Sequence, residues 1–123
     1  MADTAKVVIN LATGLEDGER VTVALLVAGA ALEQGRQVTM FLTKEAVRLA
    51  LPGYAQTTAC DGCPPIARLF EQFSQGDGQL LVCPVCFNAR QLEERDLVPN
   101  ARLGGATPLW DWIGGDHATV FSY

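Results

Sequence analysis

Lys6-Val7-Val8-Ile9-Asn10-Leu11-Ala12-Thr13-Gly14 is the stretch on which the fold turns. Val7 to Leu11 is a short, nearly continuous apolar run rather than an alternating one. That pattern belongs to a strand buried on both faces of a parallel sheet. After the acidic turn Glu16-Asp17-Gly18, Glu19 to Gln34 contains no Pro and is rich in Ala and Leu, and Gly35 stands where a helix C′ residue belongs. Gln37 to Leu42 then reads as a second strand, completing a β-α-β unit. A helix that covers one face of a sheet needs a polar stripe. Val21 to Leu32 has only Thr22 as a polar member, so a second surface, another subunit, is expected to bury its outer side.

The same rhythm continues towards the C-terminus. Thr43 can cap a short helix from Glu45 to Leu51, stopped by Pro52-Gly53. Pro52 to Cys63 lacks either periodicity and reads as a loop. Pro64-Pro65 can open a helix on which Ile66, Leu69, Phe70 and Phe73 fall at i, i+3, i+4 and i+7, with Gly76-Asp77-Gly78 ending it. Gln79 to Cys83 is a third strand, and Pro84 leads into a helix running from Val85 to Glu94. Ala101 to Gly104 gives a short strand, Thr107-Pro108 a cap and first turn for a helix from Leu109 to Ile113, and Ala118 to Phe121 a closing strand. The fold class is α/β. Residues 1–123 are expected to form one domain, an open, mostly parallel five-stranded sheet with helices on both faces, linked by right-handed crossovers.

Composition agrees with one globular domain: 123 residues, 49% of them apolar and 19% charged. Twelve Gly and six Pro leave no room for a collagen-like or low-complexity segment. Nine Lys and Arg against fourteen Asp and Glu give a formal charge of -5, with no basic cluster, so nucleic acid is not an expected partner. The apolar run Val21 to Leu32 falls well short of the ~20 residues a bilayer demands, so no membrane span is expected. Acidic Asp3 precedes a strand rather than the positive n-region of a secretory signal, and the chain reads as cytoplasmic.

Without a secretory signal, four cysteines in two C-x-x-C pairs favour reactive thiols or a metal site over a disulfide framework. Parallel sheets gather ligands and reactive groups outside the carboxyl ends of their strands, and Cys83 lies at such an end. A cysteine there also faces the free N–H groups of the following helix, which favour thiolate. Cys83, with Cys86 one turn on, is therefore the candidate nucleophile; the plainer reading makes both small buried apolar residues. Cys60-Asp61-Gly62-Cys63 lies in the long loop, which the strand order can bring beside Cys83. The full pattern, C-x₂-C-x₁₉-C-x₂-C, also fits a four-thiolate zinc site of Cys60, Cys63, Cys83 and Cys86, although no ribbon-like hairpin surrounds either pair. Val82 to Cys86 further resembles a dithiol oxidoreductase, without the usual preceding aromatic. His117 reads as a solvated turn residue, and Trp110 and Trp112 as packing or interface residues. Asn10, Thr13, Gly14 and Glu16 follow strand one, but no phosphate-cradling glycine pattern supports nucleotide binding.

Four segments, taken in order and spacing, resemble the DsrE/DsrF-like family of small sulfur-handling proteins, which includes the TusD-type sulfur relay subunits. They are Lys6 to Gly14 with the Ala-rich first helix, Gly35 to Thr43, Leu80 to Cys83 with Ala89-Arg90, and Ala118 to Phe121. The resemblance implies a trimer or hexamer of small α/β subunits. It further implies that Cys83 matches a cysteine at the end of the fourth strand that accepts sulfur as a persulfide. This sequence departs from the relay subunits by adding Cys86 and the Cys60/Cys63 pair, extra thiols that can resolve a persulfide or bind metal.

The expected activity is that of a sulfur carrier or sulfurtransferase, with catalytic Cys83 and Cys86, assistance from Cys60 and Cys63, and sulfur donor and acceptor proteins as partners. No cofactor is required. Two alternatives stand beside it: a zinc module closed by all four thiolates, and a non-catalytic oligomeric interaction subunit.

Overall fold

The computed structural model describes residues 5–123; Asp3 and the start of the predicted domain lie outside the described residues. Five strands form one sheet: β1 (Lys6–Leu11), β2 (Gln37–Leu42), β3 (Gln79–Val82), β4 (Ala101–Leu103) and β5 (Ala118–Ser122). Their order is β4-β3-β2-β1-β5, and all four pairings are parallel. The helices are α1 (Gly18–Glu33), α2 (Ile66–Gln75), α3 (Pro84–Ala89) and α4 (Ala106–Ile113), with 3-10 turns at Leu15–Asp17, Lys44–Ala50 and Glu94–Asp96.

Because β1, β2, β3 and β4 step across the sheet in one direction, right-handed crossovers put α1, α2 and α3 on one face. The connection from β4 back to β5 sends α4 to the other. Alternation along the strands separates the two faces. Val7, Ile9, Leu11, Val38, Met40, Leu42, Leu80 and Val82 join Val21, Leu25, Ile66, Phe73 and Phe87 in the main core. Val8, Thr39 and Leu81 are buried on the opposite side. Burial on both faces explains why the strands read as apolar runs. Each fully buried large side chain contributes about 1.5–3 kcal/mol.

The far end of α4 is fixed by Lys6. Its ammonium donates to the carbonyls of Trp112 (2.6 Å) and Ile113 (3.1 Å) and lies 3.1 Å from the Asp116 carboxylate. It also stands 5.3 Å from the Trp112 ring centroid. A cation on free carbonyls at a helix C-terminus meets the negative end of the dipole.

Several predicted boundaries shift. The segment from Glu45 to Leu51 is a 3-10 turn over Lys44–Ala50, and the Thr43 side chain makes no capping bond. The helix drawn from Val85 to Glu94 ends at Ala89. Gln91 takes a left-handed φ of 57°, the Gln91 N–H donates to the Asn88 carbonyl (2.9 Å), and the Leu92 N–H donates to the Phe87 carbonyl (3.4 Å). This is the Schellman closure that also ends α1 at Gly35 and α2 at Asp77. The last helix begins three residues earlier than predicted, with Gly105 rather than Thr107 as its N-cap. Pro108 falls in the first turn, where no backbone N–H is needed.

Candidate functional site

β3 delivers Cys83 to the carboxyl edge of the sheet, one residue past the strand. Its N–H donates to the Leu42 carbonyl (3.0 Å), holding it beside the end of β2, and its carbonyl accepts from Phe87 N–H (3.0 Å). Cys83 is thus the N-cap of α3, in an extended conformation, and its own side chain makes no capping hydrogen bond. Pro84 occupies the first helical position, where its missing N–H costs nothing. One turn on, Cys86 packs partly against the core, while Phe87 is fully buried and Val85 is 77% exposed. Both Cys83 and Cys86 are free thiols, each half-buried. A half-buried thiol can be reached by another sulfur while apolar neighbours limit water. Cys83 follows the third strand in chain order, not the fourth.

The site is braced by charges that the sequence keeps far apart. Glu45, on the 3-10 turn after β2, accepts from Arg48 Nε (2.9 Å) on one oxygen and from Arg90 Nε (2.6 Å) on the other. Arg90 closes α3 and also donates from Nη1 to the Cys86 carbonyl (3.1 Å). The Arg90 guanidinium beside Glu45, helped by Arg48, holds its carboxyl below the ordinary Glu value. Gly14, after β1, lies so close that a Cβ there would meet the Glu45 carbonyl oxygen at 2.8 Å. The loops after β1, β2 and β3 therefore meet at this edge. Glu45, Arg48 and Arg90 were not singled out by motif or spacing. Their one trace in the sequence is the Ala89-Arg90 segment of the family resemblance.

The first cysteine pair is placed differently. Cys60 and Cys63 are joined as a disulfide, with Cα atoms 5.2 Å apart. Cys63 N–H donates to the Cys60 carbonyl (3.0 Å) around Gly62 at φ 85°. Thr58 bridges Pro65 in antiparallel fashion, and the Ile66 N–H donates to Thr57 (3.1 Å). The long loop thus folds into a small hairpin with this turn at its tip. Just before the tip, Ala59 packs on Gly18 at the start of α1, where a Cβ would stand 3.3 Å from that of Ala59. The four cysteines do not converge. Among the described residues no group of three or more His, Cys, Asp or Glu is placed to hold a metal. His117 and Trp110 are exposed, Trp110 at 69%.

Among the described residues, no helix is long and apolar enough to cross a membrane. The outer side of α1, expected to meet another surface, leaves Val23 47% and Leu26 51% exposed in the single chain.

Comparison with known proteins agrees with this architecture. The chain is 29% identical over 103 residues to the uncharacterized protein MK0008 of Methanopyrus kandleri, covering 84% of this chain and 82% of that protein. The crystal structure of the ychN protein from E. coli superposes with a TM-score of 0.78 at 20% identity, covering 98% of this chain and all of the other. MTH1491 from Methanobacterium thermoautotrophicum, a protein of unknown function, superposes with a TM-score of 0.63 at 12% identity, covering 94% of this chain and 98% of the other. At these identities the likeness of the two structures is one of fold. The model of the DsrE/DsrF-like family matches residues 5–121, and the chain belongs to that family.

Proposed function

We propose that this protein carries sulfur as a persulfide on Cys83. The observation that carries the reading is a free, half-buried thiol at the carboxyl end of a parallel strand, heading a helix, with a second free thiol one turn on. The Cys83 thiolate attacks the outer sulfur of a donor persulfide. The new bond joins Cys83 Sγ to that sulfur, and the donor departs as a thiolate. An acceptor thiolate then takes the outer sulfur, restoring Cys83. If no acceptor arrives, Cys86 attacks Cys83 Sγ, releasing hydrosulfide and leaving a Cys83–Cys86 disulfide.

The donor and acceptor are proteins that present sulfur at this edge, in a reducing cytoplasm. The exposed Val23 and Leu26 favour a homo-oligomer built on α1, which light scattering on the purified chain tests. The sulfur reading is tested by intact mass on anaerobic protein before and after cysteine persulfide. Wild type gains about 32 Da and Cys83→Ser does not, while Cys86→Ser holds the adduct longer. Loading that survives Cys83→Ser refutes the reading.

A further inference from the structure

The two edges of the sheet are built differently. β4 is three residues long and carries exposed Arg102 at its centre, two ordinary guards against pairing with another chain. β5 has five residues, no charge and no Pro, with Val120 57% and Phe121 39% exposed. We infer that β5 pairs antiparallel with β5 of a second copy of this chain, about a two-fold axis at Val120. The inference is independent of the sulfur-carrier reading.

The hydrogen-bond phase of the strand carries it. Tyr123 N–H donates to the Asn10 carbonyl (2.8 Å), and the Tyr123 carbonyl accepts from Ala12 N–H (2.9 Å), so both of its main-chain groups face β1. By the two-residue repeat of a strand, Phe121 and Thr119 face β1 as well, and the N–H and carbonyl groups of Ala118, Val120 and Ser122 point away from the sheet. Among the described residues β5 pairs with β1 alone. An antiparallel partner exchanges two bonds at each pair of outward-facing residues. Centred on Val120, the two copies match Val120 with Val120, and Ala118 with Ser122 on either side, so that no outward group of either strand is left over. An axis at Thr119 or Phe121 keeps only two of those three pairs within the strands.

The side chains match in the same register. Thr119 and Phe121 stand beside Val7 and Ile9 of the main core, and Val120 beside Val8, so Thr119 and Phe121 share the face that α1 covers. There a groove of about 340 Å³ lies between α1 and β5, with Val27, Ala30, Thr119 and Phe121 in its lining. Pairing sets Phe121 of each copy opposite Thr119 of the other, at the mouth of the other copy's groove. On the opposite face the two Val120 side chains meet across the axis. No like charges face one another along this strip, and a single self-complementary patch is what a two-fold interface requires.

Cysteine cross-linking of the full chain tests the register, in a Cys83→Ser/Cys86→Ser background so that the introduced thiol is the free one. Val120→Cys places two thiols at the axis on Cα atoms about 5.5 Å apart, within disulfide reach, and should give a disulfide-linked dimer on mild oxidation. Ser122→Cys, on the same edge, lies about 14 Å from its own copy and should cross-link at least tenfold more slowly. With the native cysteines in place, Val120→Lys should halve the mass of the assembly in sedimentation while keeping the wild-type circular dichroism. Val120→Pro removes the outward N–H without touching a bond to β1 and should do the same. Equal cross-linking of the two cysteine variants, or a mass unchanged by both Val120 substitutions, overturns the inference. So does a wild-type chain that sediments as a monomer at every concentration, which would leave this edge to a different partner. Leu26→Lys, on the outer side of α1, should leave the Val120→Cys cross-link intact; its loss would move the contact to α1 and overturn the assignment to β5.

Discussion

Phe87→Ala is the sharpest test of how the site is held. Phe87 is fully buried in the main core while its own helix, only six residues long, carries Cys86 and closes on Arg90. So short a helix is too brief to be stable alone and must be held by tertiary packing. Removing the phenyl ring deletes its transfer free energy and leaves a cavity that the flanking β3 and 3-10 turn can only partly fill, a loss of about 3–5 kcal/mol. Against a total stability of about 5–15 kcal/mol, the variant should fold but only marginally. With a urea m-value of about 2 kcal/mol/M, the unfolding midpoint should fall by about 2 M. Val85→Ala is the internal control: two residues away on the same helix but 77% exposed, it should change stability by no more than about 0.5 kcal/mol. Iodoacetamide labelling of Cys86 in native buffer should accelerate in Phe87→Ala and not in Val85→Ala. A midpoint shift below about 0.5 M for Phe87→Ala, or equal shifts for both variants, would mean that α3 is not anchored by this ring.

Further outcomes follow from the same geometry. At Gly104 a Cβ would stand 2.5 Å from Leu81 Cδ1 and 3.2 Å from Pro108 Cβ, so Gly104→Ala should cost about 1–3 kcal/mol in a denaturant titration. Gly29 lies within α1 with nothing within 4 Å of an added Cβ, and Gly29→Ala should stabilise by about 0.4–1 kcal/mol, read as a raised Tm. The Glu45 carboxyl is held below its ordinary value by Arg90 and Arg48. Its contribution to stability is therefore fully present above the unfolded-state pKa and is lost as pH falls through the lower folded-state value. Melting wild type and Glu45→Gln from neutral pH down to strong acid should show the two curves converging in the acid range. A constant gap across that range would contradict the linkage.

What the sequence disclosed and what it concealed divide along physical lines. The strands Lys6–Leu11, Gln37–Leu42 and Gln79–Val82 were legible because burial on both faces leaves a nearly unbroken apolar run, and α2 because its one buried face repeats at helical spacing. The end of α1 was legible because Gly35 is the ordinary residue for a left-handed closure. The end of α3 was not, because Gln91 adopts the same backbone conformation with a side chain that does not advertise it. Cys83 and Cys86 could be placed from a strand running into a proline-led helix. The Glu45–Arg48–Arg90 brace could not, since Glu45 and Arg90 are 45 residues apart and meet only when β2 and β3 lie side by side. The bond between Cys60 and Cys63 depended on a local turn whose closure the four-cysteine spacing did not distinguish from a shared metal site.

The position of β1 also bears on how the chain acquires its shape during translation. β1 pairs with β2 on one side and with β5, the furthest along the chain of the described strands, on the other. Every other neighbour in the sheet is available before β5 emerges from the ribosome. At elongation speeds of about 5–20 residues per second, β1 must wait several seconds with one edge open. An unpaired strand edge of this kind invites pairing with another chain. Crowded nascent chains on one polysome would therefore be most vulnerable to cross-pairing here, and truncation before Ala118 should convert a transient hazard into a permanent one.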